Sequence, residues 1–487
     1  MSFHRVGLAI LAAVVAGAAS GAEPADGGAV ASPCDAGVAG GCPGPGGEDA
    51  KLLRALEEAL QRDAAQPRGT GTTAGSSTGG RAVPPSEATS QAPAPPLARG
   101  TQSLNPDLSV IIDANAGYER RTPSFRNSLD PILRSSGGAP AFGPAVQEVE
   151  VAASSIVDPY FKAELYLSIP NLNALEVEEG FVTTTALPWN LQVKVGTFRS
   201  AFGRQNGQHT HVQDFTQRPL FYTAFLGEDG LRGPALQVSW LVPTPFFLTL
   251  FGEVLDLRQP DPGSPVASFG GGSGTDLSYA TEAKVFVPLS DDWSLYSGLS
   301  TATGMSPAPA SIVGLSTPAS FNRRSVLVAV DAYVKWKPPN VAGGYQSLAW
   351  QSEFVLRRLT APRDCSDGAE AICSAIPPEW DGGAYSQLVY QLGRRWILGI
   401  RADLLGIPAS LSVPRILRGS ASLTFSFSEF ARLRLHGEVE HVWDVRTFGA
   451  GALSLIPVEV VGANPRTSFG AYLQMEVSIG AHGAHPF

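Results

Sequence analysis

The sequence predicts an all-β protein: a single transmembrane antiparallel β-barrel of about 16 strands, preceded by a signal peptide and a disordered N-terminal segment with one short helix. Three observations predict it. Polar and apolar side chains alternate in many stretches, connections alternate between short and long, and tryptophans gather beside the short ones. In ARLRLHGEVE (431–440) the polar set is Arg432, Arg434, His436, Glu438 and Glu440, with Leu433, Leu435 and Val439 between them. Successive side chains of an extended chain point to opposite faces, so this stretch is a strand with one wet and one apolar face. A soluble sandwich turns the apolar face to a core. A membrane barrel turns it to lipid and turns the wet face to a lumen.

Residues 1–22, MSFHRVGLAILAAVVAGAASGA, have the parts of a secretory signal: a short polar head at His4 and Arg5, an apolar run, and a small-residue site at Ser20-Gly21-Ala22. Residues 23–105 are mostly Ala, Gly, Pro, Ser and Thr, a composition that buries too little surface to order itself, and are expected to form a low-complexity periplasmic segment. Within it, 48–62 sets Leu52, Leu53, Leu56 and Leu60 on one helical face, enough for a short helix that is marginal alone.

From 106 to 487 strands take over. The alternating stretches are SVIIDANAGY, QEVEVAAS, YFKAELYLSI, ALEVEEGFVT, NLQVKVGTF, ALQVSWL, FFLTLFGEV, LSYATEAKVFV, WSLYSGLS, SVLVAVDAYVKW, SLAWQSEFVL, YSQLVYQL, WILGIRADL, GSASLTFSF, ARLRLHGEVE and SFGAYLQMEVS. Most approach the roughly 9–11 residues of a membrane strand, and Gly196 to Arg199 slips out of phase. Tight links at 157–159, 186–189, 242–245, 288–292, 337–346, 392–395 and 426–430 alternate with long ones at 119–145, 200–232, 257–277, 302–322, 358–383, 405–416 and 442–467; the link after Ser168 is a short exception. Short turns on one rim and long loops on the other, over an even strand count, are the rhythm of an outer-membrane barrel. Trp189, Trp240, Trp293, Trp336 and Trp396 lie beside the short turns, where an interfacial girdle belongs, and the terminal Phe487 is similar to a barrel assembly signal.

Net charge is −9, which argues against a nucleic-acid partner, and charged residues are only 16% of the chain. Four cysteines fall in two local pairs, Cys34 with Cys42 and Cys365 with Cys373; in an exported chain these are expected disulfides, and neither has CxxC spacing. Nucleophile-elbow, P-loop and dinucleotide motifs are missing, so no enzyme and no cofactor is expected. His209 and His211 with Asp214 present two imidazoles on an extended loop, a set zinc would accept; a polar loop needs no such explanation, and no metal site is expected.

Between 189 and 241, Gly196, Phe198, Phe202 and Gly203 close a strand, Phe215, Arg218 and Pro219 lie in a long loop, and Gly233 opens the return strand. This pattern resembles the phosphate-selective porin O/P-like outer-membrane porin family, with similarity extending over 105–487. The resemblance implies a porin barrel. The lysine ladder for which the family is known is not evident, since Lys162, Lys194, Lys284, Lys335 and Lys337 are the lysines of the barrel region. The expected function is passive diffusion of small polar or anionic solutes through the outer membrane of a Gram-negative bacterium. A receptor or surface-display barrel without an open pore is the alternative; a TonB-type receptor would need a folded plug and about 22 strands. The expected partners are outer-membrane lipid, the solutes and the barrel-assembly machinery, with a homotrimer as one candidate assembly.

The wall charges expected to line the lumen include Lys194, Arg401, Arg432, Arg434, Glu438 and Glu440. A barrel this wide discriminates little unless something narrows it. The 200–232 connection carries five aromatics that would be costly if exposed, together with Arg204, His209, His211, Asp214 and Arg218. It is expected to fold inward, pack its aromatics on the wall and set a predominantly cationic constriction.

Overall fold

The computed structural model describes residues 106–120, 140–227, 229–257, 267–271, 276–306, 323–360, 378–408, 413–443 and 466–480. All belong to one compact unit, Arg81–Phe487; the other unit, Met1–Gly80, lies outside them. The expected signal peptide, the 23–105 segment with its expected helix at 48–62, all four cysteines and Phe487 lie outside the described residues.

Sixteen strands close into one antiparallel barrel in which each pairs with its sequence neighbours and β1 pairs with β16. They are β1 (Asp107–Arg120), β2 (Phe142–Asp158), β3 (Phe161–Pro170), β4 (Glu176–Thr184), β5 (Leu191–Arg199), β6 (Arg232–Val242), β7 (Phe247–Leu255), β8 (Ser278–Pro288), β9 (Trp293–Ser306), β10 (Arg323–Trp336), β11 (Ser347–Leu359), β12 (Glu379–Leu392), β13 (Trp396–Leu405), β14 (Ile416–Ser426), β15 (Ala431–Val442) and β16 (Arg466–Gly480). Each contains all or most of one of the alternating stretches read from the sequence. The seam runs in register from Ser109 opposite Gly480 to Arg120 opposite Phe469, so no strand edge is left open. Among the described residues no helix is long and apolar enough to cross a membrane.

The outer surface carries three bands. Leu435, Val439, Leu423, Ile400, Leu398, Phe354, Val330 and Leu299 are exposed apolar side chains facing away from the lumen. At the rim of short turns stand Trp189, Trp240, Trp293 and Trp396, with Trp336 against Trp293 at 6.4 Å between ring centroids. At the opposite rim Tyr118, Phe142, Tyr279, Trp380, Trp443 and Phe469 form a second exposed aromatic set. A ten-residue strand tilted by about 40° rises roughly 25 Å along the barrel axis, the height of a hydrocarbon band between two girdles.

Three register shifts interrupt the strand pairing, and two of them re-aim side chains inward. Between β1 and β2 the register shifts at Asp113/Ala114, skipping Gln147, so that Gln147 is buried beside the wet-face residues Glu148 and Glu150. Between β3 and β4 it shifts at Tyr166/Leu167, and Glu178 and Glu179 are both buried although adjacent. The phase slip read near Gly196 is real: Gly196 has φ 142, and a Cβ there would lie 2.2 Å from the carbonyl oxygen of Gly180. Phe198 and Arg199 beyond it are both buried.

Candidate functional site

The 200–231 segment lies inside the barrel. It enters after β5, with Ser200 donating to the Glu253 carboxylate and the Ala201 amide 2.8 Å from Glu253 Oε1. The amides of Gly203 and Gln205 then donate to Ser300 Oγ and Glu353 Oε2. Gly203 has φ 65, and a Cβ there would meet Glu353 Oε1 at 2.0 Å, so a side chain would strain the backbone and displace the carboxylate that holds Gln205.

Farther along, the wall supplies donors instead. Arg432 donates to the His211 carbonyl, Arg434 Nη2 to the Gln213 carbonyl at 2.7 Å, Arg401 Nη2 to the Gln217 carbonyl at 2.8 Å, and Arg418 to the Arg218 carbonyl. The Thr216 amide donates to His436 Nδ1 at 3.2 Å, and the Leu220 amide to Asp403 Oδ1 at 3.3 Å. A non-regular backbone enclosed in a barrel needs such partners. The mixed-charge wall therefore provides carboxylates where the segment presents N–H groups and guanidiniums where it presents carbonyls. Asp403, 0% exposed, also accepts from Arg401 at 2.9 Å and Arg418 at 3.3 Å. Arg418 further approaches Glu438 at 3.8 Å and Glu440 at 3.7 Å.

The segment's aromatics pack against the inner wall toward the long-loop rim. Phe202, Leu220, Phe221, Tyr222, Phe225 and Leu226 form one buried cluster with Leu255, Leu327, Val355, Leu405, Ile416 and Val442. These wall positions are inward-facing in phase yet apolar, because they face the segment rather than water. Wall glycines make room: a Cβ on Gly399 would lie 3.0 Å from Phe215 Cζ, and one on Gly383 would lie 2.5 Å from Phe221 Cβ. Short turns at Thr210–Val212 and Tyr222–Leu226 interrupt an otherwise irregular path. Asn206 ties the two ends together, donating to the carbonyls of Ser200 and Leu231 and accepting from the Leu231 amide at 2.7 Å.

The expected site residues fall into three groups. Arg204, partly exposed, stacks on Tyr333 at 3.9 Å and donates from Nε to Gln351. Asp214 is exposed and accepts from Gln387 at 3.1 Å; Lys194 is half-buried, its Nζ 4.6 Å from the Phe181 ring centroid. Arg218 is 5% exposed, over the Tyr222 ring at 4.5 Å and bonded to Thr210. Arg401, Arg432, Arg434, Glu438 and Glu440 form the wall network. His209 and His211 are buried among carboxylates: His209 Nδ1 is 3.2 Å from Glu150 Oε2, His209 Nε2 is 2.7 Å from Glu179 Oε1, and His211 Nδ1 is 3.3 Å from Glu150 Oε2. The surroundings of the histidines are thus acidic rather than cationic, and Asp214 is not among them. Burial would push the His209 pKa down, but Glu178 and Glu150 outweigh it and hold it well above the ordinary imidazole range; Glu150 similarly raises His211. Sequence reading missed Glu178 and Glu179, because alternation cannot place neighbouring residues on one face without a bulge.

No family model matches this chain. A protein of Aquifex aeolicus (strain VF5), described as uncharacterized, is 29% identical over 424 residues, covering 78% of this chain and 80% of that one. Among solved structures, the anion-selective porin from Comamonas acidovorans is 9% identical with a TM-score of 0.47, over 77% of this chain and 99% of that one. Pseudomonas putida OprB is 11% identical with a TM-score of 0.46, over 77% and 94%. The outer membrane channel DcaP of Acinetobacter baumannii is 10% identical with a TM-score of 0.44, over 77% and 97%.

Proposed function

We propose that this chain is a porin-like channel of a Gram-negative outer membrane, through which small polar or anionic solutes diffuse past the 200–231 segment. One observation carries the reading: a closed barrel with an apolar outer band between two aromatic rims holds a charged interior, and the 200–231 segment is docked within that interior. Sixteen strands enclose a channel wide enough for water and small solutes, so the segment governs passage. In this reading Arg204, Lys194 and Lys335 are the partly accessible cations that favour anions, opposed by Asp214, while buried Arg218 holds the segment in place.

A second reading, a receptor or display barrel without an open pore, is favoured by how thoroughly the segment covers the wall: Arg357, Asp403 and His436 are fully buried. Recordings in planar bilayers separate the two. The channel reading expects wild-type current, a several-fold larger conductance on deleting 205–217, and a reversal potential shifted toward cations in Arg204→Ala. A folded wild-type protein that passes no current under any voltage sinks it in favour of the closed barrel.

A further inference from the structure

We propose that Glu150, His209 and His211, with Glu178 as a fourth donor, form a binding site for a divalent transition metal, zinc being the cation their chemistry fits, and that the site fastens the 200–231 segment to β2 and β4. Donor atoms of the first three residues lie within 4.8 Å of one another, and all three residues are buried. Their spacing is closer than that bound requires. Both imidazole Nδ1 atoms converge on one oxygen, Glu150 Oε2, at 3.2 and 3.3 Å, and Glu178 Oε2 lies 3.5 Å from His209 Nδ1. Ligands bound tetrahedrally with bonds of about 2.0–2.1 Å stand roughly 3.3–3.4 Å apart, so these three separations fit a zinc shell as well as they fit ion pairs.

Two further features agree. Among the described residues, Glu150 Oε1 and Glu178 Oε2 are buried without a hydrogen-bond partner, which is costly for carboxylates enclosed in protein. Behind His209, Glu179 Oε1 stands 2.7 Å from Nε2 without a hydrogen bond to it, close enough for a small turn of the ring to make that carboxylate the one that orients a metal-bound imidazole. Two imidazoles with carboxylate oxygens suit zinc and its neighbours rather than magnesium or calcium, which take oxygen alone. From sequence, Asp214 was the nearest third ligand for the HxH pair. The fold sends Asp214 to Gln387 and supplies Glu150 from 59 residues upstream of His209 instead.

The test uses the full chain, purified in detergent, stripped with chelator and titrated with zinc chloride. The expected result is one zinc per barrel, with X-ray absorption showing two imidazole nitrogens and carboxylate oxygens. Glu150→Gln and His211→Ala abolish binding, Glu179→Gln weakens it about 10–100-fold by loosening the His209 ring, and Asp214→Asn leaves it unchanged. If a ligand variant does not fold, the wild-type absorption spectrum decides alone. A folded wild-type barrel that takes up no zinc means that the histidines are held only as ion pairs, and overturns the proposal. Zinc bound equally by Glu150→Gln, or coordinated without two imidazoles, overturns it as well. None of these readouts depends on whether the barrel conducts.

Discussion

Arg434 and Leu435 are adjacent and face different media. Leu435 is 54% exposed on the outer band, whereas Arg434 is fully buried and bonded to Gln474, Thr424 and the Gln213 carbonyl. Leu435→Arg is expected to cost roughly 2–4 kcal/mol of barrel stability in lipid, as a charge near mid-bilayer does. Arg434→Gln is expected to spare assembly and loosen the segment by about 1–3 kcal/mol, because the Gln213 carbonyl loses its donor. Folding titrations in lipid vesicles check the first, and hydrogen exchange at residues 211–217 checks the second. Asp403→Ala removes the carboxylate that buried Arg401 and Arg418 share and should cost about 3–5 kcal/mol, read as a lowered denaturation midpoint. Asp214→Asn, exposed and bonded to Gln387, should leave that midpoint where it is.

At the scale of elements, the inward turn of 200–231 was legible. Five aromatics and several charges in one long connection require a wall to pack on. Its lining was not legible, because neither Glu178 nor Glu179 stands out until the β4 bulge turns both inward. A run such as VLVAV (326–330) carried a readable signal: Leu327 and Ala329 are apolar at inward positions, as for a strand covered on both faces. The neck of the segment is closed by the Ser200 amide donating to the Leu231 carbonyl at 2.8 Å and by one side chain, Asn206. Asn206→Ala removes its bonds to Ser200 and Leu231 and should free the segment ends, raising amide exchange at 200–206 and 231 while the circular dichroism of the barrel stays unchanged.

For the molecule as a whole, stability in lipid depends on closure. Every unpaired backbone group in hydrocarbon costs several kcal/mol, so the β1–β16 seam is as necessary as any hairpin. Removing 466–480 exposes the edges of both β1 and β15, and the truncated chain is expected to lose the compact, heat-modifiable band of a closed barrel on gel electrophoresis. Retention of that band would mean that fifteen strands close without β16.

Alternation, link lengths and tryptophan placement determined from sequence alone that sixteen strands form, which face of each meets the apolar medium and which rim carries the short turns. Those are local properties, because a period of two and the length of a turn are written in adjacent residues. Only the tertiary structure decided what the wet face is for. Arg401, Arg432 and Arg434 read as solute lining, yet they, joined by Arg418, bind carbonyls of a segment about 200 residues away in the chain. Likewise, His209 and His211 share Glu150 of β2 as a partner, and not Asp214 nearby in sequence. Strand register and bulges set those meetings, and a register is a property of two strands that neither sequence contains by itself.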